Sequence, residues 1–557
     1  MATSIPLPDP GPEFLSHILD LAPVWALGSE QRELRLSLVQ AMLGQAANRP
    51  DCLAAAQSLL GLAFQEEPWA PAVLTLAQAV QSAQPFLPGK ATALLRLLAA
   101  AVVQTPDDVR VEDIQASGDA ELAIRYLEIA AKDRQLGLAR LLPAFAFLCR
   151  LPEADQAMAL LTGFAPVVPP LLFSRLRAEL AFLRQPPDKA LAVVEALDQD
   201  VWGLYAALAT SRLAERLGDR DRALAACLTA RRHVPFHVNL TLRAYDLAFP
   251  APEPADPGTE AAVCLYSLNK ADLLHECLTH LAQTRLGGSL VAVVDNGSTD
   301  QTPSVIAAAA KHFPADRFVS VRLPVNVGAP GARNWLLSLP EVKARPYVAF
   351  VDDDAFPQTD WLARLLATAA RHPRAGVVGC AIVDRCAPGD HQSADYNLFP
   401  PAMGQPSLPE VTERLFVCDA CRLLPDYGLF AYTRPCLSVS GCCHLLSRAA
   451  IEAAGPFDIR FNPTQFDDLD RDIRSWLAGY PAVYDGSVRV AHEQASSLAK
   501  AKTPAQVAHI LGNKIKLETK FTDEDVERLW RENLDVLKRD LLDKDAALRS
   551  GPVAEEE

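Results

Sequence analysis

The chain has 557 residues, too many for one compact core at roughly 100–200 residues per domain. Half of the residues are hydrophobic and 22% are charged, a globular balance that excludes a disordered or collagen-like chain. The formal charge of -15, from 53 basic and 68 acidic side chains, argues against a nucleic-acid-binding surface.

Residues Met1–Pro10 lack the basic-then-apolar pattern of a signal peptide. No uninterrupted apolar run reaches the roughly 18 residues a membrane span needs. The expectation is therefore a cytoplasmic chain with no membrane span. Residues 1–248 read as helices, with Leu, Ala and Val recurring every three or four positions. A repeat lies within them. Asp155-Gln-Ala157, Asp188-Lys-Ala190 and Asp221-Arg-Ala223 stand 33 residues apart, and a looser copy begins at Glu121-Leu-Ala123. Small residues at a fixed place let paired helices approach closely, so stacked hairpins are expected. In the last copy Leu217-Gly218-Asp219 ends one helix, Ala223 and Ala230 mark the packing face of the next, and Pro235 closes it. These positions resemble a tetratricopeptide repeat (TPR), although the tryptophan, leucine and tyrosine usual in its first helix are not all in register. An alanine-rich helical bundle is the alternative. A TPR-like stack implies a peptide or protein partner.

Phe249-Pro-Ala-Pro-Glu-Pro-Ala-Asp-Pro-Gly258 cannot continue a helix and reads as a linker over 249–259. Beyond it, short apolar runs alternate with amphipathic segments. Strands are expected at 262–266, 290–294, 318–322 and 347–351, and helices at 270–285, 302–313 and 330–339. Such alternation implies a parallel sheet covered on both faces, with ligands bound beyond the carboxyl ends of its strands.

Two of those ends carry acids. Val294-Asp295-Asn-Gly-Ser-Thr-Asp300 combines a carboxylate with a glycine turn, suited to a ribose or a base and equally to ordinary turn chemistry. Asp352-Asp353-Asp354 follows a buried apolar run, where three carboxylates repel one another and need a counterion. Asp352 and Asp354 point the same way on an extended chain. A hard divalent cation shared with a diphosphate would supply the charge, a solvated acidic turn being the alternative.

Five motifs then stand in a recognisable order. They are Asp295-Asn-Gly-Ser-Thr-Asp300; Asn326-Val-Gly328-Ala-Pro-Gly-Ala-Arg333-Asn334; and Phe350-Val-Asp352-Asp353-Asp354. Next come Gly441-x-x-His444-Leu-Leu-Ser-Arg448 running on to Gly455-Pro-Phe457-Asp458, and Phe466-Asp467-Asp468-Leu-Asp470-x-x-x-Arg474. Together, over about 260–495, they resemble family 2 glycosyltransferases of the GT-A fold.

The resemblance implies a Rossmann-like α/β domain over 260–499 and a sugar passing from a nucleoside-diphosphate donor to a glycan, protein or small-molecule acceptor. It implies that Asp295, Asn326, Arg333, Asp352 and Asp353 serve the donor nucleotide. Mg2+ or Mn2+ would be held by Asp354, the more direct ligand, with Asp352 and His492. Without the resemblance, His492 would read as a surface or capping residue. Asp468 occupies the place of the catalytic base. Asp467 stands where the family usually has glutamate, which leaves open whether 467 or 468 is the base. A carboxylate must take the proton of an acceptor hydroxyl whose pKa lies far above neutrality. One base with no second carboxylate as nucleophile implies a single displacement, with inversion.

The segment 384–440, with His391, Tyr396, Tyr427 and Pro400-Pro-Ala-Met403, departs from the family pattern; the resemblance implies a place near the acceptor, a structural insertion being the alternative. The twelve cysteines are too sparse for a disulfide framework. Cys418-x-x-Cys421 offers two zinc ligands, but the adjacent Cys442 and Cys443 suit one ion poorly, so buried thiols are expected. Residues 500–557 read as a helical extension, with helix starts at Thr503 and Thr522. A helical-repeat scaffold with a nucleotide-binding but silent transferase-like domain is the rival reading. Nucleotidyl transfer lacks its basic glycine-rich loop.

Overall fold

The computed structural model describes residues 22–29, 31–103, 120–151, 153–385, 390–399, 414–419, 421, 424–493 and 503–550, with Leu15, Ile18, Leu19 and Ile114. It divides into two compact units. The first comprises Met1–Ala22 and Ala26–Ala248, the second Pro23–Trp25 and Phe249–Glu557.

Among the described residues the first unit is helical throughout, from Arg32–Gln45 to Val238–Ala248. The alanines of the 33-residue spacing, Ala157, Ala190 and Ala223, are each fully buried, where a larger side chain would push the helices apart. Gly218, at φ 78, turns helix Gln199–Arg216 into helix Arg220–His233, and the Asp219 carboxylate caps the second by accepting from Arg222 N at 3.1 Å. Deeper in this unit Arg175 is fully buried. It donates to the carbonyls of Gln65 and Glu66 and to Glu179 Oε2 at 2.7–2.9 Å, with its guanidinium over the Tyr205 ring. Tyr205 in turn donates to Glu179 at 2.9 Å.

The second unit opens with the proline-rich stretch and enters the α/β region through β1 (Ala261–Ser267), α1 (Ala271–Leu281), β2 (Leu290–Asp295), α2 (Thr302–Ala309) and β3 (Phe318–Arg322). It continues with α3 (Gly328–Ser338), α4 (Pro340–Lys343), β4 (Tyr347–Val351), β5 (Ala355–Pro357), α5 (Trp361–Arg371), β6 (Val377–Asp384) and β7 (Asp390–Ser393). Short strands follow: β8 (Tyr396–Leu398), β9 (Val417–Asp419), β10 (Leu424–Pro425), β11 (Thr433–Cys436) and β12 (Cys443–Ser447). The last elements are α6 (Arg448–Ala454), α7 (Asp467–Leu477), β13 (Ala482–His492), α8 (Pro504–Lys520) and α9 (Asp523–Ser550).

The main sheet runs β10-β7-β6-β12-β4-β1-β2-β3, with β13 joined to β6, β5 and β11. Strands β1 to β4 are parallel, as expected. The sheet as a whole is mixed, because β12, for which the sequence reading gave no strand, lies antiparallel between β4 and β6. An apolar run buried on both faces reads the same in either direction, so its composition does not carry polarity. The consequence is functional: the start of β12 lies beside the end of β4, with Cys443 opposite Val351. Alternate residues of β1, β2 and β4 pack with Leu274, Cys277 and Leu278 of α1 and Trp361, Leu362 and Leu365 of α5 in one core.

The C-terminal helices add a second core. Leu517, Phe521, Val526 and Leu529 pack with Phe461, Ile473 and Trp476, so α8 and α9 rest on α7. Thr503 forms a capping box with Gln506, its hydroxyl accepting from the Gln506 backbone and Gln506 Oε1 accepting in return. Pro400–Met403 and the Cys418 side chain lie outside the described residues; Cys421 is buried.

Candidate active site

The parallel strands deliver their polar ends to one edge. Ser267 of β1 is level with Asp295 of β2, and β4 runs into Asp352. Asp295 is buried, accepts from Ser298 N at 2.9 Å and pairs with Arg322 at 3.2 Å. Gly297 makes that turn possible, because a Cβ there would sit 2.5 Å from the Val325 carbonyl carbon, at φ 82. Asn326 spends its side-chain oxygen on Asn296 Nδ2 at 3.0 Å and Gly328 N at 2.8 Å, so it shapes the loop entering α3.

The three aspartates have separate surroundings. Asp353 is buried and doubly tied: Oδ2 accepts from Ser267 Oγ at 2.6 Å and Oδ1 from Lys270 Nζ at 3.0 Å. Burial nevertheless holds its carboxyl above the usual range. Asp354 accepts from Lys270 Nζ at 2.9 Å through Oδ2, while Oδ1 lies 3.1 Å from His492 Nε2. Burial pushes Asp354 up, but His492 and Lys270 outweigh it and its carboxyl falls below the usual range. Asp352 remains partly exposed, with Arg333 3.9 Å away. Burial of its surroundings, reinforced by Asp354 and Asp353 against Arg333 and His492, pushes it up to about 7.

The opposite wall is α7. Phe466 and Gln465, just before it, occupy the left-handed region at φ 67 and 81, strain that needs outside support. Asn513 of α8 supplies it, donating to the carbonyls of Phe461 and Thr464 at 2.8 Å each. This entry places Asp467 and Asp468 at the first turn, where carboxylates favour the helix dipole. Their side chains differ. Asp467 is buried and accepts from Arg333 Nη1 at 2.7 Å; burial first, opposed by Arg333 and reinforced by Asp468, pushes it up to about 6. Asp468 is only partly buried, accepts from Gly441 N at 3.1 Å and carries no ion pair among the described residues. A side chain at 441 would place its Cβ 2.5 Å from Asp468 Oδ2, so glycine there lets the carboxylate keep this position.

Arg333 joins the two walls. Buried among Tyr266, Phe350 and Phe457, it donates to Asp467 and, at 3.1 Å, to the Gly441 carbonyl. Burial opposes its charge, but Tyr266, Asp467 and Asp352 outweigh that and raise its pKa. Gly441 is thus bound to Asp468 through its N–H and to Arg333 through its carbonyl, and Cys442 O accepts from Asp352 N at 2.8 Å. One peptide segment spans both acidic groups.

His492 ends β13 opposite Ala355, next to Asp354. The Gln392 amide donates to Asp384 and to the His492 carbonyl at 3.1 Å each, so its oxygen faces His492 Nδ1 at 2.9 Å. By that network Nδ1 carries a proton and Nε2 faces Asp354 Oδ1. A lone pair and a carboxylate 3.1 Å apart call for a proton or a cation between them. Donor atoms of Asp352, Cys442 and His492 also lie within 4.8 Å of one another. Burial raises the Cys442 thiol well above its ordinary range, so it stays protonated and is a poor ligand for a hard ion. The remaining carboxylate and imidazole donors fit Mg2+ or Mn2+.

Sequence reasoning missed Ser267, Lys270 and Gln392, and it named Gly441 and Cys442 without giving either a place at this site. Lys270 stands three residues past the end of β1, a position that does not by itself set it apart from surface lysines, and Gln392 gave no local signal.

Residues 262–452 match the family model described as Glycosyl transferase family 2. The match contains Asp295, Asn326, Arg333 and Asp352–Asp354, and stops before Asp467, Asp468 and His492. An N-acetylglucosaminyl-diphospho-decaprenol L-rhamnosyltransferase of Mycobacterium tuberculosis is 29% identical over 232 residues, 39% of this chain and 71% of that protein. The O-antigen biosynthesis protein RfbC of Myxococcus xanthus is 26% identical over 236 residues, 41% of this chain and 17% of that protein. Among solved structures, GalNAc-T7 with UDP, GalNAc and Mn2+ aligns with a TM-score of 0.35 and 12% identity, over 53% of this chain and 58% of that one. The mannosyltransferase PcManGT of Pyrobaculum calidifontis, with GDP-Man and Mn2+, aligns with a TM-score of 0.32 and 20% identity, over 60% and 94%. The α/β region of this chain is thus similar to family 2 glycosyl transferases from β1 into α6.

Proposed function

We propose that the second unit is a glycosyltransferase of the GT-A type that moves a sugar from a nucleoside-diphosphate donor to an acceptor hydroxyl, with inversion. One observation carries the reading: the acids after β4 and those opening α7 meet on the single segment Gly441–Cys442. Asp468 is the general base, because Asp467 is locked to Arg333 whereas Asp468 is partly exposed and free of an ion pair among the described residues. Gly441 N–H orients its carboxylate. Arg333 holds Asp467 in an ion pair that opposes the effect of its burial and fixes the entrance of α7, and it reaches the donor side through Asp352, 3.9 Å away. Asp295 and the loop shaped by Asn326 receive the nucleotide. Asp353 sets the form of the donor site through Ser267 and Lys270. Asp354, Asp352 and His492 would hold Mg2+ or Mn2+. When bound, the cation neutralises charge developing on the departing diphosphate.

The first unit, read as a TPR-like stack, recruits a peptide or protein partner or the acceptor. Its fully buried, evenly spaced alanines support that reading. The chain is proposed to work in the cytoplasm; among the described residues no helix is long and apolar enough to cross a membrane. A thermal-shift panel of nucleotide sugars with Mn2+ or Mg2+ tests the donor class, since binding raises stability. The acceptor panel includes a polyprenyl-diphosphate-linked sugar, the substrate class in the rhamnosyltransferase's name. Turnover lost in Asp468→Asn, and inverted product by NMR, support the proposal. Nucleotide binding without turnover in the wild type favours the silent scaffold, and a retained configuration removes the single-displacement mechanism.

A further inference from the structure

Lys270 bridges Asp353 Oδ1 and Asp354 Oδ2 from the loop after β1, in a position the metal and base assignments leave unused. Its geometry divides Asp354 in two. Oδ2 is taken by the ammonium at 2.9 Å, and Oδ1 is turned to His492 Nε2 at 3.1 Å. His492 is fixed from the other side by Gln392, whose own amide is anchored to Asp384 and the His492 carbonyl. Each of the two groups that face one another therefore has an outer partner setting its direction. Such outer partners hold ligands in register before an ion arrives, and their loss typically costs about 10–100-fold in metal affinity.

We infer that Lys270 is a positioning residue for the divalent-cation site: it clamps Asp354 Oδ2 so that Oδ1 and His492 Nε2 face each other as a preformed ligand pair. The inference rests on the proposed metal site and adds a residue to it. Lys270 would leave Asp354 Oδ1 available to a cation, because it uses the other carboxylate oxygen. It also neutralises part of the charge of three adjacent carboxylates, which would otherwise turn away from one another.

The test is Mn2+ binding to the full-length protein without nucleotide, read from the loss of the free-ion EPR signal. Wild type binds, Lys270→Met binds about 10–100-fold more weakly, Lys270→Arg recovers most of the affinity, and Thr503→Ala, at the start of α8 and outside the site, binds as wild type does. Melting temperatures without metal are measured alongside, and the Mn2+-induced rise in Tm should shrink in Lys270→Met alone. If wild type binds Mn2+ and Lys270→Met binds it equally or more tightly, the lysine repels the ion rather than aligning its ligand and this inference falls alone. If Lys270→Arg is as weak as Lys270→Met while folded, a retained positive charge does not set the carboxylate and the inference falls likewise. If wild type binds no Mn2+, the metal site and the inference fall together.

Discussion

Two buried arginines, one in each unit, make the most useful comparison in the molecule. Arg175 lies among helices with all three guanidinium nitrogens bonded, to two carbonyls and to Glu179, and an aromatic ring beneath it. Arg333 is buried to a similar degree and ringed by aromatics, yet its Nε has no hydrogen-bond partner and its carboxylate partner stands beside a second, partly exposed acid. The first arrangement closes on itself and only holds helices together. The second leaves capacity over, and the backbone beside it is strained at Gln465 and Phe466. A saturated polar network needs nothing further, whereas an unsatisfied buried donor calls for strain, an ordered water or another molecule to account for it.

The largest effect should come from the acid that lies outside the ion pair. Asp468→Asn removes the proposed proton acceptor and should lower kcat by about 100–10,000-fold with Tm nearly unchanged; a rate within a few-fold of wild type would move the base elsewhere. Arg333→Met and Arg175→Met come next as a matched pair. Each strands a buried carboxylate at a cost of about 3–5 kcal/mol, measured by chemical denaturation. Only Arg333→Met should also reduce turnover per folded molecule, so equal turnover losses in both variants would erase the distinction drawn between the two arginines.

A smaller, pH-dependent effect belongs to Asp472 of α7. Burial pushes its carboxyl up to about 7, against Ser438, which donates to it at 2.7 Å, and against Arg471, with Asp468 adding to the rise. The folded state therefore binds a proton more tightly than the unfolded chain. Its penalty for ionising is absent below the ordinary aspartate range, grows as pH rises toward about 7, and is constant above that. Asp472→Asn should gain stability relative to wild type across that same window, and a difference independent of pH would show that Asp472 ionises freely. The smallest effect is Thr503→Ala, which opens the capping box of α8 and should cost about 1 kcal/mol without touching either arginine.

Much of the α/β region could be read from the chain. The strands at 318–322 and 347–351 stand where their apolar runs put them, because a buried strand must be apolar and its ends must turn. The helices begin close to the expected places; the expected 270–285 closes early, at Leu281, while 302–313 passes after Ala309 into a 3-10 turn that ends at His312. Capping and turn chemistry fix those ends, and periodicity alone does not see them. The acids were visible because three carboxylates after an apolar strand are costly without a purpose. Lys270 was not singled out, since a lone lysine after a strand is ordinary surface chemistry until the fold sets it against Asp353 and Asp354. Nor could the sequence separate Asp467 from Asp468, adjacent residues of one type.

By itself the sequence determined local character: where helices give way to alternating strands and helices, where proline breaks the chain, and which strand ends carry acids. Those follow from periodicity and from the cost of burying charge, both properties of neighbouring residues. The tertiary structure alone decided the direction of β12, the support that Asn513 of α8 gives to the turn before α7, and which aspartate is paired and which is free. These depend on partners about 50 to more than 130 residues away in the chain, and no local pattern encodes which distant group will arrive.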